Sequence, residues 1–348
     1  MAVAPGQAGK ETSPTLFLGV YTAEYERTFV LDELRQVMRR FGRYERYDCS
    51  SRGPPSPPEL LRRLAPADVA LTGWPTPRFP EALVDLPDRR LKYICHLAGA
   101  VGYFLPRRYL EAGILCTNWG DRGIWPFAEG ALALMLGCLK ATHRIGRHMR
   151  TSPGTAFPFP HPSPTLRDKR VGFVGYGAIA RTLTGMLRPM MCRFGVYDPY
   201  ATDLPEGVER FESLAELFAE SDIVTLHCGL TPETTGMIGR DLLERMKPHA
   251  IFINTSRGKV VRESELIEFL RRRPDVTAGL DVFETEPLPA DSPLPHMDNV
   301  ISYPHCVGGG NATFSRLAAE AAAQNLQAFC TGQPLQYVIT PEKYDRMT

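Results

Sequence analysis

A chain of 348 residues is long enough for roughly two domains at about 150 residues each, with a sizeable core. Forty Lys and Arg against 39 Asp and Glu leave a net charge of +1, so no bulk field draws the chain to nucleic acid or to anionic lipid. At 43% hydrophobic and 23% charged residues, the composition excludes a disordered or fibrous protein.

The first residues, MAVAPGQAGKETSPT, lack the basic start and apolar core of a signal peptide, so residues 1–14 read as a disordered leader and the protein as cytoplasmic. The longest apolar stretch, 131–139, is far shorter than the roughly 20 residues of a membrane helix. Eight widely spread cysteines with no CxxC predict reduced thiols, with neither a zinc site nor a disulfide framework.

In chain order, TLFLGVYTAEY (15–25) predicts a first strand and its exit loop, and 29–41 carries apolar residues at helical spacing. The proline-rich 53–58 predicts a loop. ADVALTG (67–73), LKYICHLA (91–98) and ILCTN (114–118) predict buried strands, with a helix-like PRRYLEAG (106–113) between the last two. A long helix is expected over 127–150, ended by SPGTAFPFPHPSPT, whose five prolines cannot continue it. A second alternating series follows. Its strands are RVGFVGYG (170–177), RFGVYD (193–198), DIVTLHC (222–228), AIFINTS (250–256), TAGLDVF (277–283) and NVISYP (299–304). Helices are expected from Ala178, near 214–219, near 264–272 and over 312–330. Such alternation favours doubly wound parallel sheets.

One local motif stands in informative context. Gly175-Tyr176-Gly177-Ala178-Ile179-Ala180 is a G-x-G-x-x-A that follows an apolar strand and opens a helix. The first glycine permits the tight turn, the second admits a pyrophosphate to the backbone, and small Ala180 allows close packing. Asp198 ends the next strand, 198 − 175 = 23 positions on, where a carboxylate accepts hydrogen bonds from ribose hydroxyls and repels a 2′-phosphate. This favours NAD over NADP. The plainer reading is a ligand-free Gly-rich turn with Asp198 capping it before Pro199.

Three segments at predicted strand ends carry Arg257, Glu286 and His305. Together they suit reversible reduction of a carbonyl beside a carboxylate: Arg holds the anion bidentately, His passes the proton, and a carboxylate orients the imidazole. Singly, each also reads as a surface ion pair, a solvated carboxylate or a packed imidazole, and Glu284 competes with Glu286. His227 follows a strand and either lines the cofactor cleft or is structural.

Taken together, LKYICHLAGAVGYF, AEGALALML, VGFVGYGAIAR, VYDP, VTLHCGLTPETTGMI, FINTSRGKVV, AGLDVFETEP and NVISYPHCVGG resemble, in order, the D-isomer-specific 2-hydroxyacid dehydrogenases. The likeness runs over roughly residues 16–336. It implies an α/β fold of two Rossmann-like domains with the cofactor domain inserted into the substrate domain: 15–118 and 306–338 for substrate, 119–305 for NAD. It further implies that Arg257 binds the substrate carboxylate, that His305 is the general acid/base, and that Glu286 is its partner, so that Glu284 drops out. By the same matching Gly175, Gly177, Ala178 and Ile179 face the pyrophosphate and Asp198 the ribose. Cys228 and Thr234 fall on the adenine side, and Thr255 and Asp281 at the nicotinamide end. Backbone N–H groups of Gly99, Ala100 and Val101 would meet substrate oxygens.

The chain departs from the family pattern in three respects. The stretch Ala98-Gly99-Ala100-Val101-Gly102 lacks the Asp of the G-V-G-x-D type turn, Ala178 replaces Arg or another polar residue after the second glycine, and Trp119 and Trp125 lie near the expected interdomain cleft. The resulting expectation is an NAD-dependent enzyme that interconverts a small, anionic D-2-hydroxy acid and its 2-keto acid, with no metal, nucleic-acid or membrane partner. A homodimer is implied through the helix at 127–150. The rivals are a phosphite or formate dehydrogenase, the latter disfavoured because that group pairs its His with Gln, and an NAD(H)-sensing corepressor-like scaffold.

Overall fold

The structure, a computed structural model, describes residues 15–49, 56–155, 164–308 and 312–346. The expected leader at 1–14 and most of the proline-rich stretch after 151 lie outside them. The chain divides into two compact units, Met1–Gly123 with Gly310–Thr348, and Ile124–Gly309.

The first unit is built on a five-stranded, all-parallel sheet. Its strands are β1 (Thr15–Tyr21), β2 (Gly42–Asp48), β3 (Val69–Thr72), β4 (Tyr93–His96) and β5 (Leu115–Thr117), in the order β2-β1-β3-β4-β5. The central strands β3 and β4 are buried along their whole length, as expected where helices cover both faces. Edge strand β2, GRYERYD, has only one buried residue, Tyr47, which is why hydrophobic patterning does not reveal it. The expected exit loop after β1 is instead the helix Ala23–Phe29, because the Thr22 hydroxyl accepts from Tyr25 N–H and caps it. A separate helix, Asp32–Phe41, follows. Pro57 and Pro58, expected in a loop, open the helix Pro57–Leu64, where a missing N–H costs nothing. The long helix Ala312–Cys330 packs on Asp32–Phe41 and buries Ala318, Ala319, Ala321 and Ala322.

The second unit carries a seven-stranded parallel sheet: β6 (Arg170–Val174), β7 (Arg193–Tyr197), β8 (Val208–Arg210), β9 (Ile223–Leu226), β10 (Ile251–Asn254), β11 (Thr277–Leu280) and β12 (Val300–Ser302). The order is β12-β11-β10-β9-β6-β7-β8. From β6 the chain winds outward to β8, then returns to β9 on the other side of β6. Ligands of open α/β sheets bind where the winding reverses, at the carboxyl ends of the strands, which here means the loops after β6 and β9. The expected helix 127–150 is broken into Trp125–Leu139 and Thr142–Thr151 by Ala141, whose φ is 51°. Buried Phe173, Phe218, Phe252 and Phe269 fill the core, each contributing about 1.5–3 kcal/mol. Among the described residues no helix is long and apolar enough to cross a membrane.

Candidate active site

The glycine turn sits at the winding reversal of the second sheet. Gly175 has φ of 85°, and a Cβ there would lie 2.8 Å from the backbone nitrogen of Cys228 at the end of β9. Only glycine meets both demands. The turn leads into the helix Ala178–Leu187, whose N-cap Gly177 supplies no side-chain bond to the first-turn N–H groups. Nothing lies within 4 Å of the place where a Gly177 side chain would begin. Donors with no partner among the described residues, facing open space at a helix N-terminus, form a cradle for a phosphate, so the residues present fit a dinucleotide. The thiol of half-buried Cys228 is pushed up to about 11 by burial.

Asp198 organises this turn from the end of β7. Its Oδ2 accepts from Tyr176 N–H at 2.7 Å and its Oδ1 from Tyr200 N–H at 2.8 Å. A carboxylate has about four lone-pair sites, so acceptor capacity remains for hydroxyl donors. The turn-capping role and a ribose-binding role are therefore compatible. Half-buried Thr234 has a hydroxyl committed locally, donating to the Gly229 carbonyl at 2.7 Å and accepting from Thr231 N–H at 2.7 Å. It shapes the loop after β9.

The loops that follow β10, β11 and β12 bring the three other residues together. After β10, Asn254 Oδ1 accepts from the Ser256 N–H and hydroxyl, and its amide donates to the Arg257 carbonyl at 3.2 Å, which fixes the backbone beneath Arg257. Gly258 lies so near the next loop that a Cβ would fall 1.9 Å from the carbonyl carbon of Phe283. Half-buried Arg257 donates through Nη1 to the Ser256 carbonyl at 2.7 Å and forms no ion pair among the described residues. Burial lowers its pKa, opposed by the charge of Glu286. A desolvated guanidinium with donors to spare is matched to an anionic ligand. Half-buried Thr255, just before it, makes no side-chain hydrogen bond among the described residues.

Glu286 Oε1 accepts from Phe283 N–H at 3.0 Å, and its Oε2 lies 2.7 Å from Nδ1 of His305. Glu284 goes elsewhere: it is exposed, and its N–H donates to Glu263. His305 has φ of 53° and is half exposed, and its Nε2 has no partner among the described residues. Asp281 holds that left-handed turn. The Asp281 carbonyl accepts from His305 N–H at 2.8 Å, and its Oδ1 accepts from Cys306 N–H at 2.7 Å and Val307 N–H at 3.3 Å. Asp281 is 1% exposed and burial raises its pKa. This anchoring, like that of Asn254, is beyond sequence reasoning, because an acid on a strand end carries no mark of which loop it will cap.

Half-buried His227 bonds Thr225 Oγ1 at 2.9 Å, and burial pushes it down to about 4. It is neutral near pH 7 and holds the strand end.

In the first unit, Gly99, Ala100 and Val101 follow β4, and no hydrogen bond from their three N–H groups is found among the described residues. The Gly99 carbonyl is held by Asn118 Nδ2 at 2.7 Å. Trp119 is buried and lies against Gly99, whereas Trp125, in the second unit, is exposed and donates to Glu129.

Residues 132–307 match the family profile described as D-isomer specific 2-hydroxyacid dehydrogenase, NAD binding domain. The chain belongs to this dehydrogenase family. Over 290 residues it is 30% identical to a hydroxypyruvate reductase of Blautia hydrogenotrophica, covering 80% of this chain and 87% of that protein. A glyoxylate reductase of Korarchaeum cryptofilum is 33% identical over 287 residues, covering 80% and 85%. The solved D-isomer specific 2-hydroxyacid dehydrogenase of Xanthobacter autotrophicus, in complex with NADPH and MES, superposes with a TM-score of 0.72 at 25% identity, covering 96% of this chain and all of that one. The dehydrogenase is thus an NAD-dependent oxidoreductase of the 2-hydroxy acid and 2-keto acid class.

Proposed function

We propose that this dehydrogenase interconverts a small D-2-hydroxy acid and its 2-keto acid, with Arg257 anchoring the carboxylate and His305 with Glu286 acting as the acid/base pair. The observation that carries the reading is the 2.7 Å bond from His305 Nδ1 to Glu286, which leaves Nε2 for the substrate. A carboxylate on one ring nitrogen fixes the imidazole's orientation and tautomer. In the reductive direction protonated His305 gives its Nε2 proton to the carbonyl oxygen as that oxygen becomes a hydroxyl. In the oxidative direction the neutral ring takes the proton back. Arg257 pairs with the carboxylate, and the N–H groups of Gly99 to Val101 in the unit read as the substrate domain receive its oxygens. NAD, when bound at the glycine turn, supplies the two-electron redox chemistry. Asp198 accepts the ribose hydroxyls and disfavours a 2′-phosphate, so NADH is the preferred reductant.

The wide spacing of the eight cysteines, with no CxxC, supports a reducing, cytoplasmic compartment. The exposed Ile145 and Met149 on the helix Thr142–Thr151 support a homodimer. The test is nicotinamide absorbance with purified protein against glyoxylate, hydroxypyruvate, pyruvate, phenylpyruvate and branched 2-keto acids, with NADPH in parallel. Turnover of at least one acid with NADH, reduced about 10²–10⁴-fold by His305→Ala, is expected. Undiminished turnover in that variant would remove the mechanism.

A further inference from the structure

The first unit exposes two large aromatic side chains that its fold does not need to expose. Trp74 stands two residues beyond the end of β3 and is 45% exposed, and Tyr103, in the loop after β4, is 43% exposed. A single exposed apolar residue is ordinary, but a set of rings gathered at one strand-end surface is informative. Trp74 packs parallel to buried Phe314, with centroids 6.1 Å apart and planes 12° apart, and edge-on to Trp119 at 5.6 Å. Trp119 in turn lies under Gly99, where a Cβ would approach its ring to 3.1 Å. The Tyr103 hydroxyl donates to the Gly73 carbonyl at 2.7 Å, which ties the two loops together and satisfies its polar tip.

Trp74 is thus packed on Phe314 and Trp119, and through Trp119 it adjoins the loop whose N–H groups have no partner among the described residues. Thr72 and His96, the last residues of β3 and β4, are register partners in the parallel pair, so both loops leave the same end of the sheet. Trp74 also flanks the place where the winding reverses between β1 and β3, the usual ligand crevice of an open sheet.

We infer that Trp74, with Tyr103, sets the substrate class of this dehydrogenase: a 2-keto acid whose third carbon carries a large planar or branched apolar group. This rests on the proposed function, in which Gly99 to Val101 meet the oxygens of the acid. With the carboxyl and carbonyl end held there, the remainder of the molecule lies against the indole and phenol faces. Stacking and burial of an aromatic ring reward phenylpyruvate and give nothing to glyoxylate, which has no side chain.

The experiment compares kcat/KM for phenylpyruvate and glyoxylate in the full chain, with NADH, for the native protein, Trp74→Ala and Trp74→Phe. The native ratio is expected to favour phenylpyruvate by at least about tenfold. It should fall by about tenfold or more in Trp74→Ala and largely recover in Trp74→Phe, which keeps a flat ring. Far-UV circular dichroism and a thermal melt of each variant report its folding, and NADH binding followed by fluorescence reports the cofactor site. Native preference for glyoxylate, or a parallel loss for both acids in Trp74→Ala, overturns the inference and leaves the reductase reading standing. Failure to reduce any 2-keto acid while NADH still binds overturns that reading, and the inference with it.

Discussion

Arg257 offers a clean separation of function from stability. It is a half-buried cation with one hydrogen bond, to the Ser256 carbonyl, and no ion pair among the described residues. Its pKa is lowered chiefly by desolvation. For a base, a lowered folded pKa means that folding disfavours the charged form. That cost is present throughout the accessible pH range and is relieved only in strong alkali, where Arg loses its proton. Arg257→Met keeps most of the apolar stem, removes the charge and gives up the Ser256 bond, worth about 0.5–1.5 kcal/mol. Relief of desolvation offsets that loss, so stability should hold or rise. Over a unit of this size, a net change within about 1 kcal/mol moves Tm by no more than about 2–4 °C. Substrate binding is another matter. Two charge-assisted bonds to a carboxylate at about 1.5–3 kcal/mol each amount to about 3–6 kcal/mol, a fall of about 10²–10⁴-fold in kcat/KM. Arg257→Lys restores the charge without the planar fork and should recover only part of it. Steady-state kinetics with the best 2-keto acid and a thermal melt on the same samples decide the matter. A Tm lowered by well over 5 °C, roughly, with kcat/KM retained would make Arg257 a structural residue and refute the reasoning.

Glu286→Gln keeps an acceptor for Phe283 N–H and replaces the charged partner of His305 by a neutral one. kcat should fall by about 10–100-fold, the loss of about 1.5–3 kcal/mol of charge-assisted bonding, with little change in KM; an unchanged kcat would show that the carboxylate only positions the ring. Asp281→Asn tests the anchor under His305 through pH. Because burial raises the carboxyl's pKa, the stability linked to its protonation is fully present below about pH 4, the ordinary carboxylate value, and is lost as pH rises through the raised one. Replacing it by a group that never ionises should therefore flatten the pH dependence of Tm above about pH 4. The slope will be unaltered if Asp281 does not titrate there.

Much of the second unit was legible because its strands are covered on both faces and so read as short continuous apolar runs, such as GFV before Gly175 and IFIN before Thr255. The edge strands β2 and β8 escaped detection: GRYERYD and VER have too few buried residues to leave a pattern. The break at Ala141 was invisible for a different reason, since left-handed backbone at alanine is set by packing and not by a Gly or Pro that announces it. At the site, residue types and strand-end positions pointed to Arg257, Glu286 and His305, but patterning could not choose between Glu284 and Glu286. That choice depends on how the loop after β11 folds back, which places Glu286 at Phe283 N–H and at His305 together.

The three site loops of the second unit act as one body. β10, β11 and β12 are neighbours in the sheet, so their carboxyl ends arrive side by side. Close approach of Gly258 to Phe283 locks the Arg257 loop to the Glu286 loop, and Asp281, with bonds to three successive backbone N–H groups, locks the end of β11 to the His305 turn. Each of these contacts joins a neighbour to the strand end between them, so a shift of one loop is felt by the other two. This matters more than any single bond, because proton transfer and anion binding are sensitive to displacements of about an ångström. The left-handed φ of His305 and the buried carboxylate of Asp281 each cost stability locally. Both costs fall on the segment that presents the imidazole, which is where strain retained for function is expected and where a purely structural loop would have relaxed it.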